Sequence, residues 1–200
     1  MFPHHALLDS LVDSPIAMVV TNPRQPDNVI ELANRAFCKL SGYAEREIIG
    51  RNCRFMAGEA SDPAARAHMH QAIIEQRPTL VEILNYRADG SSFRNGVMIA
   101  PLFDDDGRLT YFLGSQVDLG DGQPAALTAR RADAFEMVSA LPGRQREVLG
   151  AMAQGLLNKQ IAYRLGIAEK TVKMHRSLLL ERLGKVTSAE AIRIAVEAGL

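Results

Sequence analysis

The chain is poor in cysteine: two in 200 residues, Cys38 and Cys53, with no metal-ligand spacing between them. That argues against a disulfide scaffold or a zinc site and for a reduced, cytoplasmic protein. No apolar run approaches the roughly 20 residues that span a bilayer, so no membrane partner is expected. The N-terminal MFPHHALLDSLVD lacks both a basic start and a long apolar core, so no signal peptide is expected either. Net charge is also lacking, with 23 basic against 23 acidic residues. The remaining composition, 47% hydrophobic and 23% charged, is ordinary for globular protein, and the length suits one large domain or two small ones.

The zero net charge hides a split. Residues 1–120 carry 11 Lys and Arg against 15 Asp and Glu, whereas residues 142–200 carry 10 against 5. Such asymmetry points to a polyanion as partner of the C-terminal part.

Residues 15–119 alternate strand-like and helix-like patterns. PIAMVVTNP (15–23) and VIELAN (29–34) read as strands. Helical patterns follow to about residue 77, including ANRAFCKLSGYAEREIIG (33–50) as an amphipathic helix in which Cys38 is a buried hydrophobe. LVEILNYR (80–87), SFRNGVMIAPLF (92–103) and LTYFLGSQVDL (109–119) then read as strands joined at ADGS and DDDGR. The triple aspartate is expected to be a solvated turn rather than a metal site, and the order gives an α+β domain.

Period-two alternation puts one amide on a mainly apolar face of each late strand. Asn85 points with Val81 and Ile83, Asn95 with Phe93, Val97 and Ile99, and Gln116 with Phe112 and Gly114. Three amides either satisfy one another or meet a planar heterocycle bearing several carbonyl and NH groups, since an amide both donates and accepts. The opposite face carries Leu84, Tyr86, Met98, Ala100, Leu102, Tyr111 and Leu113, too apolar to be left in water. A second domain or a dimer partner is expected to cover it.

The string GRNCRFMAG (50–58), with VVTNPRQPDN (19–28), LNYRADGSSFRN (84–95) and YFLGSQVD (111–118), resembles LOV domains, the blue-light subclass of PAS folds, over residues 15–119. The resemblance implies a five-stranded antiparallel sheet with flanking helices around a flavin, FMN foremost, with riboflavin or FAD as alternatives. It makes Cys53 the thiol that attacks flavin carbon C4a after excitation. Asn52, Asn85, Asn95 and Gln116 become polar contacts to ring and ribityl chain, and Gln116 the amide that rearranges when N5 is protonated. Arg54 matches an arginine that pairs with phosphate. Val19, Thr21, Asn28, Met56, Phe112 and Gly114 line the implied pocket, with Met69, Ile73, Val97 and Ile99.

Two positions depart from the family. Ala57 stands where glutamine is common, and His70 where a second phosphate-binding arginine is usual. A neutral imidazole does not replace a permanent cation, though Arg66, one helical turn away, is placed to compensate. The rival chemistry, a thiol hydrolase pairing Cys53 with His68 or His70, needs an oriented base and an oxyanion site that the spacing does not require. No enzyme is expected.

LGDGQPAA (119–126) is a Gly/Pro break, and LTARRADAFEMVSAL (127–141) reads as a linking helix. Beyond it, LNKQIAYRLGIAEKTVKMHRSLLLERLG places a helix at about 158–165, a turn at Gly166 and a helix at about 169–183, a helix-turn-helix arrangement. NKQIAYRLGIAEKTVKMHRS closely resembles the LuxR-type domain, over roughly residues 141–200. The match makes Lys173, Met174 and Ser177 groove contacts, and Lys159, Thr171, His175 and Arg176 phosphate or positioning contacts. Ala168 and Pro142-Gly143 replace the usual capping residues, each at a cost on the order of 1 kcal/mol. SAEAIRIAVEAGL (188–200), with Ala189, Ile192, Val196 and Leu200 at helical spacing, matches the family's dimer helix or else packs on its own domain.

The expected architecture is therefore a helical extension (1–14), a flavin-binding sensor domain (15–119), a linker with a helix (120–141) and an all-α four-helix DNA-binding domain (142–200). The expected function is a cytoplasmic, blue-light-regulated transcription factor. It would be monomeric in the dark and a homodimer in the light or on double-stranded DNA. The alternative is a flavin-binding redox or ligand sensor that regulates DNA without adduct chemistry.

Overall fold

The computed structural model describes residues 11, 12, 14–120 and 126–200. Most of the expected N-terminal extension and the centre of the Gly/Pro break lie outside these residues. Five strands, β1 (Ala17–Asn22), β2 (Val29–Ala33), β3 (Thr79–Tyr86), β4 (Ser92–Phe103) and β5 (Leu109–Asp118), form one sheet in the order β2-β1-β5-β4-β3. Every neighbouring pair is antiparallel. The expected α+β order is thus the observed one, and β5, the last strand in sequence, sits at the centre.

The sheet has two apolar faces because its strands alternate between two cores. One face gathers Ala17, Val19, Ile30, Phe37, Ile48 and Met56 under the helices that follow β2. The other gathers Met18, Val20, Met98, Ala100, Leu102, Tyr111 and Leu113 in one cluster with Val148, Leu149, Ile192 and Val196 from the C-terminal helices. That second cluster answers the expectation that something covers the outer face. The cover is incomplete: Leu84 and Tyr86 are only half-buried, and the Tyr86 ring lies against Gly58, where a Cβ would come within 2.3 Å of it.

The amphipathic stretch 33–50 is two helices, not one: α1 (Arg35–Ser41) and α2 (Glu45–Ile48). Gly42 breaks it, capping α1 with φ of 75° and donating its N–H to the Cys38 carbonyl. That left-handed conformation is cheap only for glycine. Asn34 caps the other end of α1, accepting from the Phe37 and Met18 amides and donating to the Leu11, Ser14 and Ile16 carbonyls. Cys38 on α1 is half-buried rather than fully so. A 3₁₀ turn (Cys53–Met56) and α3 (Pro63–Ile74) complete the sensor part. At the DDDGR hairpin, Asp104 accepts from the Asp106 and Arg108 amides and Asp106 pairs with Arg108, the solvated turn expected.

The C-terminal part consists of the linker helix α4 (Ala126–Ser139) and then α5 (Gly143–Ala153), α6 (Asn158–Leu165), α7 (Glu169–Arg182) and α8 (Ser188–Glu197). Gly166, at φ of 63°, makes the tight turn between α6 and α7. Ala168 gives α7 no side-chain cap, whereas Thr187 and Glu190 cap α8 reciprocally. Helix α8 is buried nearly all round, packed between α4, α5 and the outer sheet face, with only the terminal Gly199 and Leu200 exposed.

Candidate functional site

Between the inner sheet face, the 3₁₀ turn and α3 lies a cavity of about 490 Å³, continued by a recess of about 90 Å³. Its wall brings together the residues singled out in the sequence except Asn95, which lies buried behind Asn85 and Gln116 and lines neither space. Asn52, Cys53, Arg54, Met56, Ala57, Arg66, Met69, His70, Ile73, Asn85, Val97, Ile99 and Gln116 line the main cavity. Val19, Thr21, Asn28, Phe112 and Gly114 line the recess. Gly114 is needed there: a Cβ would stand 2.8 Å from the Val19 side chain.

The three strand amides form a connected row. Asn95 donates to Asn85 Oδ1 at 2.9 Å and to Gln116 Oε1 at 3.0 Å, while Asn85 donates to the Met56 carbonyl at 3.3 Å. The amides therefore bond one another, as one of the two sequence alternatives has it, and yet are not exhausted. Thr21 Oγ1, Asn28 Oδ1 and Asn95 Oδ1 are buried without a hydrogen-bond partner. Buried polar atoms are rarely left so, and those of Thr21 and Asn28, on the wall of the recess, are placed to meet a ligand. The amide groups of Asn52, Asn85 and Gln116, the apolar side chains of Val97, Ile99 and Phe112 and the unpaired atoms of Thr21 and Asn28 fit a flavin ring.

Cys53 opens the 3₁₀ turn, whose preceding residue Asn52 accepts from the Arg54 amide and donates to the Asp27 carbonyl. Although the residue as a whole is half-buried, its thiol is desolvated, and burial pushes it up to about 12. At neutral pH it is a thiol, not a thiolate. Hydrolytic and redox cysteines need the reverse, a depressed pKa. His68 is bonded to Thr79 Oγ1 at 2.9 Å, while His70 lines the cavity beside Arg66. At the rim, Arg54 pairs with Asp27 at 2.5 Å, a partner 27 residues away that the sequence did not reveal.

On α6 and α7, Lys159, Lys173, Met174 and Ser177 are exposed, with Lys173 paired to Glu169 at 3.0 Å. Thr171 and His175 are half-buried. Arg176 turns inward, donating to Asn158 Oδ1 at 2.6 Å and Ser188 Oγ at 3.0 Å, so it braces α6, α7 and the start of α8.

Residues 15–121 match the PAS domain family. The chain belongs to that family. Within it the likeness is to LOV photoreceptors, and residues 139–195 match the bacterial regulatory proteins of the luxR family, which makes the helix-turn-helix of this PAS protein a LuxR-type domain. Among curated proteins, it is 42% identical over 132 residues to a blue-light-activated histidine kinase of Rhizobium johnstonii, covering 66% of this chain and 38% of that one. It is 34% identical over 199 residues to blue-light-activated histidine kinase 1 of Erythrobacter litoralis, covering 98% and 52%. The chain thus spans about half or less of these relatives. Among solved structures, the dark form of the Aureochrome1 LOV photoreceptor matches with TM-score 0.56 and 34% identity, over 68% of this chain and 97% of that one. The LOV domain of an Erythrobacter litoralis blue-light activated histidine kinase matches with TM-score 0.52 and 39% identity, over 54% and 99%.

The back of the site was not read from the sequence. Strand β5 presents Gln116 to the cavity, and the preceding residue, Ser115, faces α8, where Arg193 donates to Ser115 Oγ at 2.7 Å. Arg193 also pairs with Glu197 at 2.7 Å, and Glu197 with Arg130 of α4 at 3.1 Å. Desolvation lowers the Arg193 guanidinium's pKa, opposed by Glu197. The signal was present: Arg193 and Glu197, four apart, are the charged residues of the otherwise apolar run 191–198. Further contacts join the two parts. Ser14 donates to Glu190 at 2.8 Å and Gln160 to the Asp104 carbonyl at 2.9 Å. Gly155 packs so tightly on Pro101 that a Cβ would meet its carbonyl oxygen at 2.1 Å.

No helix of the described residues is long and apolar enough to cross a membrane, and among them no three His, Cys, Asp or Glu are grouped to hold a metal.

Proposed function

We propose that this protein is a blue-light-regulated transcription factor whose flavin site controls release of its LuxR-type domain onto DNA. The observation that carries the reading is the Cys53 thiol on the wall of an amide-lined cavity, on the far side of the strand that seats α8. A bound flavin supplies blue absorption and, once excited, an electrophilic ring carbon C4a that ground-state flavin lacks. Cys53 would be the residue that supplies both the sulfur for a reversible bond to that ring and the proton that the ring takes up in exchange. A positioned thiol reacts as if unimolecular, which is worth about 7–11 kcal/mol of barrier. Gln116, on the cavity wall, would answer a change in the ring's hydrogen bonding by turning its amide, one residue from Ser115 on the face that holds α8.

FMN is the preferred flavin, with Arg54, Arg66 and His70 on the cavity wall as the groups near a phosphate. Asp27 competes for Arg54, and His70 carries no fixed charge, so the grip rests on few cations. Arg54→Ala is expected to weaken FMN binding roughly tenfold or more, and His70→Arg to tighten it, because charge-assisted contacts to phosphate are the strong ones. Fluorescence titration with FMN and riboflavin side by side checks this: both variants binding FMN like the parent would misplace the phosphate.

On DNA, Lys173, Met174 and Ser177 would meet base edges, with Lys159, Thr171 and His175 positioning the helix. Arg176, tied to Asn158 and Ser188, serves by bracing rather than by reaching phosphate. Helix α8, hidden on the sheet in the dark, would pair with a second copy in the light or on DNA. The test is one preparation measured twice. Blue light should reversibly bleach the flavin band and raise DNA affinity, and that affinity should fall steeply with salt. A flavin that never bleaches would favour redox or ligand sensing instead.

A further inference from the structure

The interface between α8 and the sheet is largely apolar, and within it sits a buried charge. Arg193 is 1% exposed and Glu197 4%. The guanidinium gives Nε to Glu197 at 2.7 Å and Nη1 to Ser115 Oγ at 2.7 Å, and both Nη atoms approach the Gly96 carbonyl at 3.4–3.5 Å. Gly96 lies on β4 and Ser115 on β5, so the fork spans two neighbouring strands. Only one placement of α8 on the sheet satisfies it. Arg130, on the linker helix, shares the Glu197 carboxylate and remains partly open to water.

A buried ion pair is a poor adhesive. Removing both charges from water costs about as much as their attraction returns, so an apolar replacement of equal volume is often neutral or stabilising. Removing one partner is different, because it strands the other charge in the interior. When α8 leaves the sheet, Arg193 keeps Glu197, loses Ser115 and Gly96, and regains water. The pair therefore favours the released state relative to an apolar interface, while its two cross-strand contacts permit only one docked register.

Resting on the release reading above, we propose that Arg193 and Glu197 are positioning residues that fix how the DNA-binding domain docks and hold the docking weak enough for light to undo it. The cluster collects the three parts that must move relative to one another: the sheet through Ser115 and Gly96, the linker through Arg130, and the output domain through α8. Ser115 adjoins Gln116, so a shift of β5 that follows from Gln116 reaches Arg193 without an intermediary.

An ion pair that served as the adhesive between α8 and the sheet would give destabilisation for every substitution. The proposal instead requires opposite signs. In the whole 200-residue chain, kept dark, Glu197→Met leaves Arg193 without its carboxylate and should speed hydrogen exchange across α8 roughly tenfold or more, with a matching rise in dark DNA affinity. Ser115→Ala, which leaves α8 itself untouched, should move both readouts the same way by less. The double variant Arg193→Met/Glu197→Met should slow exchange below the parent and shrink the exchange change caused by light. Single and double variants shifting α8 exchange in the same direction, or a Glu197→Met that exchanges like the parent, would overturn the proposal. Opposite signs in the dark, together with a parent whose DNA affinity ignores light, would uphold this role of the pair and refute the release reading alone.

Discussion

Cys53→Ala is expected to bind flavin about as the parent does and to lose reversible bleaching completely. The thiol is one wall group among many, whereas the amide row, the unpaired acceptors at Thr21, Asn28 and Asn95, and the apolar faces of Val97 and Ile99 all remain. Affinity should therefore change little. The photochemistry has no substitute sulfur: the other cysteine, Cys38, sits on α1 and lines neither the cavity nor its recess. The pH dependence also follows from the site. Because burial pushes the Cys53 thiol up to about 12, bleaching should be nearly flat from pH 6 to 9. The thiol is protonated throughout that window, and its deprotonation begins only well above it. An absorption spectrum before, during and after blue light checks both statements. Continued bleaching in the variant would remove Cys53 from its role, and a bleaching rate that climbs tenfold per pH unit through neutrality would show a thiolate reacting.

What was legible in the sequence depended on how local its cause is. The helices Asn158–Leu165 and Glu169–Arg182 were placed nearly to the residue, because Gly166 punctuates them and the apolar period is clear. The inner and outer faces of β3, β4 and β5 followed from alternation alone, and the structure does bring Asn85, Asn95 and Gln116 into one bonded row. The break at Gly42 was missed because the helical period continues across it, and only the positive φ shows that it is a cap. The remaining misses are long-range and polar. Asp27 with Arg54, Ser115 with Arg193 and Gln160 with Asp104 join residues 27, 78 and 56 positions apart, and neither period nor propensity encodes such pairs. For Arg176 the sequence leaves a phosphate or a positioning contact open, because a basic side chain early in such a helix usually faces out. Asn158 and Ser188 offered it two acceptors inside the domain instead. How the polar groups are spent between two domains is a property of their docking, which neither domain's sequence shows separately.

The other large effect is expected where the two parts meet. Leu113 and Met98 are fully buried in the cluster that joins the sheet to the C-terminal helices. Leu113→Lys places an ammonium there with no partner, which costs roughly 3–5 kcal/mol while the domains stay docked and nothing once they separate. In a two-state balance that shifts the equilibrium by about a hundredfold or more toward release. The gain in dark DNA affinity cannot exceed what full release provides, so the variant should bind DNA in darkness as tightly as the illuminated parent and respond little further to light. Bleaching at Cys53 should be preserved, because Gly114 and Phe112, not Leu113, face the cavity. Gln116→Ala makes the opposite case: it bleaches, yet its DNA affinity should rise less on illumination, since the amide that answers the protonated ring is gone. Together the two variants separate the light reaction from its transmission. Dark binding in Leu113→Lys with a blunted Gln116→Ala locates the signal in β5. A Leu113→Lys that bleaches, stays folded and still needs light to bind DNA would mean that the outer face does not restrain the output domain, and the control would have to lie in the linker helix.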